Sequence, residues 1–267
     1  MNNDIEDQAR QKTPRKRTLT VLGSSAAYPT PTHSCSGFLI DWDGYRIVLD
    51  LGYGTLPRLL AHLPEARVDA VVISHEHPDH FIDLHGLFRI RRYGSRPSTR
   101  LPVYCPRGVV DRLRGLEPEV DMGDEFDFHE IPADHRLGPF QLSCIELPHF
   151  VPNVGIRLSA ADIVIAYTGD TGPDPNLAKL GADADLFIVD ATDRPGEFVA
   201  GQRNLLSASE AGRWATRAGA KRLMLTHFWP GNDRQAAAGE ARASFCGEIL
   251  VATEDLEIPL NSGRGRD

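Results

Sequence analysis

Between positions 75 and 80 the chain reads His75-Glu76-His77-Pro78-Asp79-His80, which sets three imidazoles and the carboxylate of Asp79 within six residues, directly after the apolar run Ala70-Val71-Val72-Ile73-Ser74. Imidazole combined with carboxylate suits divalent transition metals, and a catalytic zinc site uses a few such donors while leaving one position for water. A single site has no use for so many donors. On an extended turn His75 and His77 face the same side, because alternate residues do, and Asp79 and His80 are left to face a second metal. The segment reads as half of a two-metal site. A polar loop that happens to be rich in histidine is the plainer alternative, and the rest of the chain decides between the two.

The missing donors must come from loops where other strands have just ended. His149 follows the apolar run 142–147, Asp170 follows 163–167 through Thr168-Gly169, and His227 follows Leu223-Met224-Leu225-Thr226. A common sheet edge gathers residues that each sit at the carboxyl end of such a run. Singly, each has a plainer role: a lone histidine is more often structural, and the aspartate of Gly-Asp-Thr-Gly is usually a turn former. Jointly the seven donors are far less accidental. Two cations roughly 3.5–4 Å apart that share a carboxylate and a water lower the pKa of that water toward neutrality, and they face the charge that develops on the attacked group. Hydrolysis by a metal-bridging hydroxide is the reaction class this implies. Zinc is the default pair of ions, with manganese or iron accepted by the same ligands.

The elements that must hold these residues are legible in outline. Short β-branched runs at 18–22, 38–42, 46–49, 70–73, 154–158, 163–167, 186–189 and 222–225 read as strands. Ser207-Ala208-Ser209-Glu210 opens a helix over 211–218 with a serine cap and a first-turn glutamate. A second helix follows Asp79: Phe81, Leu84, Leu87 and Phe88 fall at helical spacing, Arg89, Arg91 and Arg92 take the other face, and Gly94 and Pro97 end it. No repeat or low-complexity linker interrupts the pattern. One α/β domain over 18–260 follows, with sheets packed together and helices outside, a flexible tail at 1–17 and a frayed end at 261–267.

Among the 267 residues, 41% are apolar and 25% charged, and no window approaches the roughly 20 apolar residues of a membrane span. The polar start of the chain has no apolar core of a secretory signal, and Cys35, Cys105, Cys144 and Cys246 lack CxxC spacing, so a reduced, cytoplasmic protein is expected. A net charge of −8 disfavours nucleic acid as a partner. Asp50 is placed to hydrogen-bond a liganding histidine, which metal-bound imidazoles generally need. Ser24 and Ser25, in the turn after the first strand, either donate to a substrate phosphate or shape that turn. Ser207 is a candidate substrate contact as well as a cap. Trp229 is placed to line the pocket beside His227.

The chain resembles the metallo-β-lactamase-fold superfamily, whose HxHxDH motif is followed by a histidine, an aspartate and a last histidine. His75, His77, Asp79, His80, His149, Asp170 and His227 match all seven. The resemblance implies a four-layer αββα sandwich. It implies that His75, His77 and His149 hold one metal, that Asp79, His80 and His227 hold the other, and that Asp170 bridges them. Within the superfamily the chain is similar to the ribonuclease Z and phosphodiesterase branch through Val21-Leu22-Gly23-Ser24-Ser25-Ala26-Ala27-Tyr28-Pro29, Leu49-Asp50-Leu51-Gly52-Tyr53-Gly54 and Leu225-Thr226-His227-Phe228. Members of that branch often dimerise, so a second copy of the chain is the expected macromolecular partner.

Two departures bear on the substrate. Only residues 150–169 separate His149 from Asp170, which leaves no room for the flexible arm that bacterial ribonuclease Z inserts there to grip tRNA. Ribonuclease Z also carries a histidine associated with protonating the leaving oxygen, where this chain reads Asn204-Leu205-Leu206-Ser207-Ala208 with Leu205 at that position. Its acidic partner is matched by Asp190. General acid catalysis is typically worth about 10²–10⁴ in rate, so this loss matters for poor leaving groups. The arm-less members include small phosphodiesterases acting on 3′,5′-cyclic nucleotides, similar to this chain in length and in Leu87-Phe88 and Arg91-Arg92-Tyr93. A dinuclear phosphodiesterase of small substrates, with cyclic AMP as the leading example and Asp79, Asp170 and Asp190 in catalytic roles, is therefore expected. The alternatives are an acyl hydrolase of thioesters or lactones on the same metals, and a tRNA 3′-end endonuclease.

Overall fold

The computed structural model describes residues 16–94, 99–193 and 203–260. Most of the expected N-terminal tail, the C-terminal 261–267 and Pro97 lie outside them. Strands β1 (Arg17–Gly23), β2 (Gly37–Trp42), β3 (Tyr45–Leu51), β4 (Ala70–Val72), β5 (Leu101–Cys105), β6 (Phe126–Glu130) and β14 (Glu257–Pro259) form one sheet in the order β14-β1-β2-β3-β4-β5-β6. Strands β7 (His135–Leu137), β8 (Phe140–Leu147), β9 (Asn153–Ala160), β10 (Ile163–Tyr167), β11 (Leu186–Asp190), β12 (Arg222–Thr226) and β13 (Glu248–Val251) form the other, in the order β13-β12-β11-β10-β9-β8-β7.

Side-chain alternation along each strand assigns the layers. Phe38, Ile40, Ile47, Leu49 and Val72 of the first sheet meet Leu142, Ile156, Leu158, Ile165 and Ile188 of the second in one buried apolar core. The intervening residues point outward. Leu39, Val48, Val71 and Val103 pack beneath helices α1 (Thr55–His62), α3 (Asp83–Tyr93) and α4 (Arg107–Leu116). Phe187, Val189, Leu223 and Leu225 pack beneath α5 (Asn176–Leu180), α6 (Ala208–Ala218) and α7 (Arg234–Arg242). Both faces of both sheets are therefore covered, which is why the strands read as nearly continuous apolar runs. The αββα sandwich follows. No helix among the described residues is long and apolar enough to cross a membrane.

Two local differences from the sequence reading have physical causes. The helix after Asp79 is two: α2 (Pro78–Phe81), with proline at its first position, and α3, joined through helical Ile82. Strand β8 starts two residues earlier than the run 142–147, because Phe140 pairs with Leu137 of the short edge strand β7. The four cysteines are free, with Cys35 and Cys105 buried.

Candidate metal centre

Every candidate ligand lies just past the carboxyl end of a strand, at one edge of the sandwich. β4 leads into His75, His77, Asp79 and His80; β8 into His149; β10 into Asp170; and β12 into His227. The first loop is stitched to the second sheet by Val154 N donating to Ser74 O at 3.1 Å and by a bridge between His75 and Asn153. Gly169 makes the turn to Asp170 possible. Its φ is +59°, and a Cβ there would lie 2.4 Å from Asn153 Oδ1 and 2.8 Å from Ser74 Cβ. His227 itself holds φ 58°, a conformation that L-residues adopt at a cost.

Two clusters result, one of His75, His77, His149 and Asp170, the other of Asp79, His80, Asp170 and His227. Within each, the donor atoms all lie within 4.8 Å of one another. In the first, His77 Nδ1 is 3.1 Å from His75 Nε2 and 3.0 Å from His149 Nε2, and Asp170 Oδ2 is 3.9 and 3.7 Å from those Nε2 atoms. In the second, His227 Nε2 is 3.3 Å from both His80 Nε2 and Asp79 Oδ2, and His80 Nε2 is 3.3 Å from Asp170 Oδ1. Asp170 thus turns one oxygen toward each cluster.

The opposite edges of the rings test whether these residues suit a cation. His80 Nδ1 donates to Asp50 Oδ2 at 2.6 Å, and His149 Nδ1 donates to Asn204 O at 2.9 Å. Ser74 Oγ gives its hydrogen to Asp50, so His75 Nδ1 donates to Ser74 Oγ at 3.0 Å. Thr192 Oγ1 likewise donates to Asp190 and receives from His227 Nδ1 at 2.8 Å. Four Nε2 atoms are left as bare lone pairs facing other lone pairs at hydrogen-bonding distance. That arrangement is repulsive without a positive charge between them. Ligands at about 2.0–2.1 Å from a tetrahedral ion lie roughly 3.3 Å apart, within the range of 3.0 to 3.9 Å between the donors here. Asp170 Oδ1 is buried and lacks a hydrogen-bond partner, as a metal-facing oxygen would.

Complete burial disfavours a charge on His80, but Asp170, Asp79 and Asp50 hold its pKa well above the ordinary value, so the second cluster draws positive charge to itself. Burial, reinforced by the surrounding imidazoles, holds His75 far below its ordinary pKa. Burial alone would raise Asp79, but His80 and His227 and the Ala27 amide, 2.8 Å away, hold it below the carboxylate range. Asp190 goes the other way: complete burial and repulsion from Asp170 push it well above that range.

A cleft of about 440 Å³ opens over both clusters, walled by Ala26, Ala27, Pro78, Phe150, Leu205 and Trp229, with Thr192 beside the ligands. The structure does not bring all the sequence candidates there. Ser24 Oγ bonds Ala252 O and Ser25 Oγ bonds Tyr28 O, while both amides donate to Ser34 O. Their donors are committed to shaping the turn, not to a phosphate. Ser207 closes a reciprocal capping box with Glu210 and is not among the residues lining the cleft. Asp190 lies behind the wall, accepting from Leu206 N and from Thr192, so it reaches the site through Thr192 and His227. Thr192, Ser74 and the Ala27 amide were not read from the sequence. His33, His62, His85, His129 and His135 stand apart, paired with Glu254, Asp255, Glu117 or gathered around Tyr104.

Comparison with known proteins agrees with this geometry. Residues 45–228 match the family model described as the beta-lactamase superfamily domain. An uncharacterized protein of Mycobacterium tuberculosis is 34% identical over 258 residues, covering 90% of this chain and 92% of the relative. Ribonuclease Z of Thermobifida fusca is 29% identical over 308 residues, covering 93% and 96%. The crystal structure of the metallo-beta-lactamase fold protein YhfI from Bacillus subtilis superposes with a TM-score of 0.82 at 25% identity, covering 90% of this chain and 98% of that one. With its two histidine–aspartate clusters at the shared sheet edge, the chain belongs to the beta-lactamase superfamily and is a metal-dependent hydrolase related to ribonuclease Z and YhfI.

Proposed function

We propose that the protein is a dinuclear phosphodiesterase of small substrates such as cyclic nucleotides. The carrying observation is that Asp170 presents one oxygen to each of two complete donor clusters. His75, His77 and His149 would hold one ion, Asp79, His80 and His227 the other, and Asp170 both. Divalent cations bound there would supply hydroxide at neutral pH and positive charge for the attacked group. The chain's own residues do the rest. Ser74, Asp50, Asn204 and Thr192 fix the tautomers and ring planes of four ligands. Ala26, Ala27, Pro78 and Leu205 give the cleft an apolar wall, and Trp229 and Phe150 line it with aromatic surface for the part of the substrate away from the phosphate.

The size of the cleft suits a nucleotide. Between His149 and Asp170, the β9–β10 hairpin takes up most of the segment, with two residues in its turn, so a tRNA-gripping arm has no place there. That argues against the endonuclease reading, and the ribonuclease Z relative supports a phosphodiester as the bond type. One observation favours the acyl alternative: Leu205 sits in the cleft where a leaving-group acid would be needed, and thioesters and lactones ask less of such an acid.

The test is elemental analysis of the purified protein with parallel assays on cyclic AMP, bis(p-nitrophenyl) phosphate, a thioester, a lactone and a tRNA precursor. Turnover of the first two is expected. No activity on either refutes the proposal, and turnover of the thioester or lactone alone replaces it with the acyl reading.

A further inference from the structure

Glu76 stands between two ligands of the first cluster, yet its side chain reaches away from them to the loop after β5. β4 and β5 are parallel, with Val71 opposite Val103 and Val72 opposite Tyr104, and Ile73 N donates to Tyr104 O at 2.8 Å. The two strands end side by side, so the loops that follow them meet. Glu76 Oε1 accepts from Arg112 Nη2 at 3.0 Å. Glu76 Oε2 lies so close over the first turn of α4 that a Cβ on Gly108 would fall 1.4 Å from it. The carboxylate also rests at the positive end of that helix.

Arg112 is half exposed while Glu76 is mostly buried, at 51% and 19% side-chain exposure. An ion pair to so exposed a guanidinium contributes little by itself. The fit over Gly108 carries more, because any side chain there would take the carboxylate's place. A further contrast gives the contact meaning. His75, His80, His149 and His227 each have their second ring nitrogen tied to a neighbour, whereas among the described residues His77 has no such partner. Its placement depends on the main chain that carries it.

We propose that Glu76 is a positioning residue: by docking on Gly108 and Arg112 of α4 it fixes the backbone between His75 and His77 and presets the first metal cluster. The proposal rests on the two-metal reading above. The test is titration of zinc, against a competing chelator, into the metal-free full chain as wild type, Glu76→Ala, Glu76→Gln and Gly108→Ala, with thermal melts of each metal-free form. Glu76→Ala and Gly108→Ala are expected to weaken one of two zinc equivalents about tenfold or more and leave the other unchanged. Glu76→Gln still accepts from Arg112 and should stay within about fivefold of wild type, the worth of an exposed ion pair. Metal-free Gly108→Ala should melt within about 2–4 °C of wild type, the gain of a better helix former offsetting the lost ion pair of at most about 1 kcal/mol. Unchanged affinities in Glu76→Ala overturn the proposal, as does equal weakening of both equivalents together with a lower melt of the metal-free protein. A wild type that takes up fewer than two equivalents overturns the two-metal reading itself.

Discussion

Asp50 holds a left-handed backbone, φ 53°, which a non-glycine residue keeps only when its surroundings over-determine it. They do: its carboxylate accepts from Ser74 N, Ser74 Oγ, His80 Nδ1 and Tyr167 OH, all between 2.6 and 2.8 Å. Asp50→Asn puts an amide donor against this ring of donors. Metal affinity should fall about 10–100-fold, and unfolding in urea should show a loss of about 3 kcal/mol, typical of a broken buried charged network. Wild-type values for both would show that the four contacts do not orient His80. Leu205 makes the complementary case, a residue informative for what it lacks. Leu205→His places a proton donor on the cleft wall, and kcat on alkyl phosphodiesters should rise about tenfold or more while bis(p-nitrophenyl) phosphate, whose leaving group needs no acid, changes little. An equal effect on both substrates would rule out leaving-group protonation there. At this scale the sequence was readable where residue type alone is the signal, as in the seven donors that the fold gathers into two clusters. It was not readable where direction decides. Ser24 and Ser25 look like phosphate donors until Ser34, Ala252 and Tyr28, distant or across a turn, claim them.

At the scale of elements, α6 shows how a local signal and a functional guess compete for one residue. Ser207 accepts from Glu210 N while the Glu210 side chain accepts from Ser207 N, so the serine's bonding is spent within the helix start. Ser207→Ala should lower stability by about 1 kcal/mol, a fall in Tm of roughly 2–4 °C for a chain of this size, with KM unchanged. A KM raised severalfold at constant Tm would instead restore Ser207 as a substrate contact. The cap was legible because a capping box is written in four consecutive residues. The strands flanking the site were legible for a related reason: burial on both faces makes β3, β4, β10, β11 and β12 continuous apolar runs. β6, β7, β13 and β14 escaped because edge strands carry charged or mixed residues, Phe126-Asp127-Phe128-His129-Glu130 among them, and are defined by their neighbour's register, whereas β5 escaped although it lies inside its sheet. The helix over Gly108 likewise gave no warning that its glycine makes room for a carboxylate 32 positions earlier.

At the scale of the whole molecule, each cluster draws on both sheets. His75, His77, Asp79 and His80 follow β4 of the first sheet, and His149, Asp170 and His227 follow β8, β10 and β12 of the second. Bound ions would therefore fasten the two layers together at one edge, while the apolar core between the sheets holds them over the rest of their area. These two attachments predict distinct behaviour on metal removal. The core does not need the ions, so chelation should leave the far-ultraviolet circular dichroism at 25 °C native, unlike a small zinc domain that unfolds without metal. On the two-metal reading the edge does need them, because without cations His80 Nε2 faces His227 Nε2, His149 Nε2 faces His77 Nδ1, and Asp170 Oδ1 stays buried without a partner. Free metal at a thousand times its Kd stabilises the folded form by about 4 kcal/mol, and at roughly 2–4 °C per kcal/mol for a chain of this size the melting temperature should fall by about 10 °C on chelation. Activity should vanish with it and return on adding zinc or manganese. If the metal-free protein melts with the metal-loaded one, the ions do not bridge the sheets and the clusters are not the centre proposed; if it is unfolded at 25 °C, the apolar core is weaker than its burial implies.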